Sequence, residues 1–335
     1  MRGVSLLTLP PALIMTACFA LTLGRYPLHF SDLADFGWAA LGWTAMEPAR
    51  YDLLHNVIVE IRLPRVLAAG LVGAALATSG AAFQAVFRNP LVSPGILGVL
   101  GGASFGAALG ILWFGNGALV QILAFVMGLA AVGAGAVIAN LFGSASTVML
   151  VLGGMISGAL FTSMLSIVKY TADPNDQLPA IVYWLMGSFS SVNLPHAALA
   201  AGPILMGVAC LVLLGRALDA MSMGDDEARS LGVPVEGVRY GVIAAATLIS
   251  SLSVALAGMI GWVGLIVPHF ARLALGPLNS RLLPASAMLG AIFMILADCI
   301  ARVVAHAEIP IGVVTELFGI PAFVAVLRHA RREWL

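Results

Sequence analysis

Ten apolar runs, most close to 20 residues long, dominate this chain and leave it one kind of solvent. They cover residues 4–24, 63–87, 92–113, 117–142, 147–168, 194–216, 239–260, 262–277, 282–304 and 309–329. A helix needs about 20 predominantly apolar residues to cross a hydrocarbon core of ~30 Å. Inside that core the backbone must satisfy its own hydrogen bonds, which a helix does segment by segment. The expected fold is an all-α membrane protein of about ten transmembrane helices, one polytopic domain over residues 1–335. Charged residues make up only 10% of the chain, against about 25% in a soluble domain. That excludes a soluble enzyme and a disordered chain. Sixteen basic and sixteen acidic residues cancel, so no basic field exists to attract nucleic acid. Membrane lipid is the surrounding medium.

Two runs need separate comment. The first has a single basic residue, Arg2, ahead of it and no small-residue cleavage site, so it reads as a helix and not a signal peptide. The eighth is short and interrupted by Pro268, His269 and Arg272. Ten spans put both termini on one side. If that side is the cytosol of a bacterial cell with the chain in the inner membrane, inner segments hold nine basic residues and outer segments six, the direction of the positive-inside bias. The tail Arg328-His329-Ala330-Arg331-Arg332 carries most of it.

The connections differ in character. Residues 25–56 read as a polar outer loop with Asp32, Asp35, Glu47, Asp52 and His55. Residues 171–193 hold an apolar stretch, 178–189, too short to span, which reads as a helix near the outer surface. Arg88-Asn89-Pro90-Leu91 is a tight inner turn. Residues 217–238 form the largest and most charged inner loop. Within it, the acidic triplet Asp225-Asp226-Glu227 suits a helix N-terminus, and Gly232 followed by Pro234 is a stop signal. The spacing predicts a short helix offering Ala228 and Leu231 to a partner, with an ordinary solvated loop as the alternative.

Reactive groups are few. Cys18, Cys210 and Cys299 lie far apart in apolar runs, with no metal-ligand spacing. They read as small packing residues, and neither a metal nor a cofactor is expected in this chain. A phosphate loop of the Walker type requires Gly-x-x-x-x-Gly-Lys-Ser/Thr. The sole lysine, Lys169, stands between Val168 and Tyr170, so any ATP hydrolysis must belong to another polypeptide. Asp298, Glu308, Glu316, Arg272 and His269 are ionisable groups in or near spans, where such groups face the bundle interior or a cavity. Asp298 and Arg302 are four apart, spaced for an internal ion pair.

Many segments, in order from about residue 60 to the C-terminus, resemble the membrane subunit of type II ABC importers, the permeases for iron–siderophores, haem and vitamin B12. They include Arg62-Leu63-Pro64-Arg65, Arg88-Asn89-Pro90-Leu91, Tyr183-Trp184-Leu185-Met186-Gly187, Ala228-Arg229 with Leu231-Gly232, and Val263-Gly264-Leu265-Ile266-Val267-Pro268-His269. Ala297-Asp298, Arg302 and Glu308-Ile309-Pro310-Ile311-Gly312 complete the series. The resemblance implies a homodimer of ten-helix subunits, two cytosolic ATP-binding subunits below it, and a soluble binding protein that delivers substrate from outside. It implies that Arg62, Arg65 and Arg302 contact acidic residues of that binding protein, since guanidinium forks pair bidentately with carboxylates. Internal pairing with Glu60, Asp298 or Glu308 is the alternative. It assigns Ala228, Arg229, Leu231 and Gly232, within the coupling loop 217–238, to docking on the ATPase. Asn89 and Leu91, with Thr147 and Val148, would surround the cytosolic gate. One departure is Thr315-Glu316, where the family usually has a small residue after Thr.

The resulting expectation is a permease subunit, itself no enzyme, importing a metal chelate such as a ferric siderophore or haem. Cobalamin or an oxyanion such as molybdate are the alternative cargoes. A secondary transporter using Asp298, Glu308 and Glu316, and an intramembrane enzyme using His269, are the rivals of other classes.

Overall fold

The computed structural model describes residues 5–115, 117–141, 147–305 and 307–333, with side chains through residue 324. Among the described residues the regular structure is entirely helical. In chain order the helices are α1 Leu9–Thr22, α2 Phe30–Ala40, α3 Pro48–His55, α4 Leu63–Val86, α5 Val99–Phe114, α6 Gly117–Leu141, α7 Thr147–Thr171 and α8 Gln177–Leu185. They continue with α9 Leu194–Leu213, α10 Gly215–Met221, α11 Asp225–Ser230, α12 Val235–Ala257, α13 Val263–Leu275, α14 Asn279–Val303 and α15 Ile311–Glu333. Among the described residues six helices are long and apolar enough to cross a membrane, and four shorter apolar helices accompany them. These ten coincide one for one with the ten apolar runs. The basic tail 328–332 continues α15, and its side chains lie outside the described residues.

Helix α4 is the hub, buried along most of its length and packed by α9, α12, α13 and α14. Lipid supplies no hydrophobic force between helices, so close packing of small residues holds them together. At two crossings the sequence leaves no choice of residue. A Cβ on Gly73 would stand 2.1 Å from the Gly290 carbonyl oxygen of α14, and one on Gly80 would stand 1.9 Å from the Gly264 oxygen of α13. Buried hydroxyls add interhelical hydrogen bonds: Ser250 donates to Ser79 at 2.9 Å, and Ser157 to the Ala131 carbonyl at 2.6 Å.

Three expectations change. The outer loop 25–56 is a small helical cap. Leu28, Phe36, Leu54 and Ile58 form its own core, which a reading of its charged residues alone overlooks. Helix α3 also runs through a π-helical turn, Asn56–Arg62, into α4, so this helix spans Pro48–Val86. Its 24-residue α4 portion rises ~36 Å, enough for the membrane by itself. Finally, α5 starts at Val99 and not residue 92. The chain ahead of it is bent through a 3₁₀ turn, Pro94–Leu97, and left-handed Gly98, whose Cβ would stand 3.1 Å from the Gly154 oxygen of α7.

Helix α13 is short for a related reason. The chain breaks at left-handed Gly258 and Trp262 before it begins. The break packs on the end of α8, where Ser188 N–H donates to the Ala257 carbonyl at 2.8 Å. The start of α15 closes the same cluster: Ile311 and Gly312 N–H donate to the Gly187 and Met186 carbonyls, each at 3.0 Å. Residues 177–187 thus dock into the bundle through backbone hydrogen bonds. The molecule has two distinct ends, one bearing α2 and α3, the other α10 and α11.

Candidate functional site

At the α10–α11 end the short helix forms where its residues predict. Acidic side chains occupy its first turn, and Gly232, at φ +82°, turns the chain away. Asp225 anchors it. Its carboxylate accepts from Arg239 of α12 at 2.6 Å and from Arg88, which follows α4. Arg88 also donates Nε–H to the Met221 carbonyl at 2.9 Å. The Arg239 hydrogen bond, then the Arg239 and Arg88 charges, hold the Asp225 carboxyl below the usual aspartate range, against an opposing effect of burial. Asp219 of α10 accepts the Asn279 and Ser280 N–H groups at the start of α14, at 2.5 and 3.2 Å. The exposed face differs from the expected one. Ala228 is 0% exposed and seats the helix, so it is not available to a partner, whereas Leu231 is 64% exposed. Arg229 stands between them, paired with Asp226 at 2.9 Å and Glu236 at 2.5 Å.

Beside this end, Asn89, Leu91, Thr147 and Val148 line one cleft of about 330 Å³ with Phe87, Ile96, Leu152 and Met155. Asn89 shapes it by accepting the Leu91 N–H on Oδ1 at 2.9 Å, a side-chain turn. A second cleft of about 390 Å³ shares Ile96 and Met155 and continues along Gly154, Gly158 and Thr162 of α7. Together they make a groove that climbs α7 and carries few polar groups. Such a wall has nothing to coordinate a metal or hold a charged ligand tightly. Among the described residues no group of three or more His, Cys, Asp or Glu is placed to bind a metal ion.

At the α2–α3 end, Arg62, Arg65 and Arg302 are brought together with their guanidinium groups turned inward. Arg65 donates Nε–H to Asp298 at 2.8 Å and Nη1–H to both Glu308 oxygens at 3.0 and 2.9 Å. Arg302 contacts the other Asp298 oxygen at 3.0 Å, the i,i+4 pair. Arg62, 4% exposed, donates to the Leu21 and Thr22 carbonyls at 2.6 and 2.9 Å and to the Tyr26 carbonyl. Of the two readings of these arginines, the internal one describes what their side chains touch; among the described residues their ionic partners are Asp298 and Glu308, not Glu60. A crevice of about 220 Å³ still opens onto them, lined by Arg25, Ile61, Arg62, Arg65, Arg302 and Glu308.

The profile of the FecCD transport family matches residues 12–329. This chain belongs to the FecCD transport family. A molybdate import system permease of Haemophilus influenzae is 37% identical over 333 residues, covering 96% of this chain and 94% of that one. The vitamin B12 import system permease of Escherichia coli is 41% identical over 283 residues, covering 82% and 84%. A solved chain described as a metal-chelate type ABC transporter in an inward-facing conformation is 36% identical, with TM-score 0.85 over 97% of this chain and 98% of that one. The FecCD chain is accordingly a multi-pass ABC importer permease and not itself an enzyme; the ATPase is a separate subunit.

Several residues of this FecCD permease escape a linear reading. Arg88, Arg239 and Asp219 tie α4, α10, α11, α12 and α14 together at one end. Arg88 lies in the Arg88-Asn89-Pro90-Leu91 turn, but its partner Asp225 is 137 residues away, and nothing in the spacing joins them. Arg272 finds Gln84 of α4, donating at 2.5 Å, while Gln84 donates to the Gly264 carbonyl at 3.3 Å.

Proposed function

We propose that this permease imports a metal chelate, a ferric siderophore or haem, across a bacterial inner membrane as a homodimer served by two ATP-binding subunits and a soluble binding protein. The observation that carries the proposal is the groove: four separated residues, Asn89, Leu91, Thr147 and Val148, line one apolar cleft that continues up α7. A wall of this kind lets a large cargo pass without holding it, which suits transfer better than tight binding. The metal-chelate type neighbour supports the cargo class; cobalamin and molybdate, named for two relatives, are the alternatives.

In this reading the α10–α11 end is cytosolic, with both termini on that side. The loop 217–238 presents Leu231, Arg229 and the Gly232 turn to the ATPase, while Ala228 fixes the helix from beneath. The α2–α3 end faces outward. Its arginine-lined crevice, with four arginines against Asp298 and Glu308, offers a positive rim to acidic side chains of the binding protein. Such contacts set encounter rate and register more than affinity. Of the three carboxylates an ion-coupled carrier would use, Asp298 and Glu308 are held by Arg65, which leaves that rival Glu316 alone.

The test is uptake by the permease reconstituted with its ATPase and binding protein, comparing ferric siderophore, haem, cobalamin and molybdate. ATP-dependent uptake of an iron chelate is expected. Uptake driven by an ion gradient without ATP, or of molybdate alone, would overturn the proposal. Binding-protein affinity should fall with added salt; salt-independent docking would remove the role of the arginine rim.

A further inference from the structure

Helix α15 carries a feature that packing does not explain. Val313, Leu317, Ile320 and Val324 are exposed on it, and Glu316 is exposed among them. No hydrogen bond or ion pair engages the Glu316 carboxylate among the described residues.

Its depth follows from its neighbours. Glu316 Oε1 stands 3.7 Å from where a Cβ on Gly261 would lie, so the two residues share a level. Three residues further on, Gly264 packs against Leu76 and Gly80 of α4. At 1.5 Å per residue, Leu76 and Gly80 lie ~20 and ~25 Å along α4 from Leu63. Gly261 therefore sits about halfway down the ~36 Å of α4, and Glu316 with it. An ionised carboxylate at that depth is expensive against hydrocarbon and belongs to a water-filled space or a protein interior. The nearest arginine on the adjoining helix, Arg272, is eleven residues beyond Gly261, about three turns or ~16 Å away, and it is hydrogen-bonded to Gln84.

We propose that Glu316 makes the translocation path cation-selective, favouring a ferric siderophore that is positively charged or neutral overall and disfavouring a bare oxyanion and haem, whose propionates are ionised. The inference rests on the permease reading above and adds the charge class of the cargo to it. In a two-copy assembly each chain contributes one carboxylate at the same level. The carboxylate acts by its field alone and forms no bond to the cargo.

The test uses the full transporter in proteoliposomes, with the exposed Cys18 and Cys210 replaced by Ala and the buried Cys299 left in place. Ile320→Cys puts a thiol one turn from Glu316 on the same face, and Val313→Cys provides a second position. Each is labelled with a cationic trimethylammonium methanethiosulfonate and an anionic sulfonate methanethiosulfonate, with rates normalised to a free thiol in solution. A unit charge about 6 Å away, in water-like dielectric and physiological salt, gives a cation-over-anion preference of roughly three- to tenfold. Glu316→Gln should bring that ratio to about one. Labelling with no charge preference, or a preference unchanged by Glu316→Gln, would overturn the role of Glu316 and leave the path intact. Failure of both thiols to react with either reagent would overturn the aqueous path itself, and the inference with it.

Discussion

Replacing Arg65 with Ala is the most demanding test of how the α2–α3 end is built. The substitution removes a hydrogen bond to Asp298 and a bidentate pair to Glu308, between 2.8 and 3.0 Å. Asp298, only 1% exposed, is left with Arg302 as its sole ionic partner. Breaking a buried ion pair from one side costs about 3–5 kcal/mol, because the remaining charge stays desolvated. At about 1.4 kcal/mol per decade, the unfolding equilibrium should shift by roughly two to nearly four orders of magnitude. The assay is unfolding of the purified permease in mixed micelles with increasing SDS, followed by helical circular dichroism. Arg50→Ala is the control, since it removes an exposed pair with Asp32 at 2.9 Å and should cost less than about 1 kcal/mol. If Arg65→Ala were no more costly than Arg50→Ala, the arginines would not be a clamp, and the argument from burial and distance would fail.

Other expectations follow from the same geometry. A spin label at exposed Ser230 should report one mobility from pH 8 to about 5. Asp225 has a depressed carboxyl pKa, so its contribution is present above the unfolded aspartate value of about 3.9 and is lost only as pH falls below it. Asp225→Asn should free the label at every pH, and a transition between pH 8 and 5 would contradict the anchor. Gly80→Val should lower folded yield sharply, since even a Cβ would meet the Gly264 backbone at 1.9 Å; wild-type yield and melting would contradict the close crossing. Leu231→Asp should leave the permease's own melting unchanged, because the side chain is exposed, yet reduce co-purification of the ATPase subunit at least several-fold. Val148→Trp, which fills the cleft beside Asn89, should slow transport without altering assembly; full-rate transport would place the gate elsewhere.

The ten apolar runs determined the fold class without help, because only helices satisfy a backbone in lipid and their length is set by the bilayer. The Asp225-Asp226-Glu227 start and Gly232-Pro234 stop likewise located α11, since caps are local chemistry. The single lysine, in the wrong context for a phosphate loop, assigned ATP hydrolysis to another chain. The i,i+4 pair Asp298–Arg302 was legible in the spacing, but tertiary structure decided the partners that charges meet across the fold. Arg65 finds Asp298 and Glu308 across 233 and 243 residues, and Arg88 finds Asp225 across 137; no local pattern records such pairings. It also turned Ala228 inward, extended α4 through α3 to Pro48, and bent the chain ahead of α5 and α13. The reason is one of range. Hydropathy and capping depend on neighbours a few residues away, whereas burial and ion pairing depend on which helix arrives opposite.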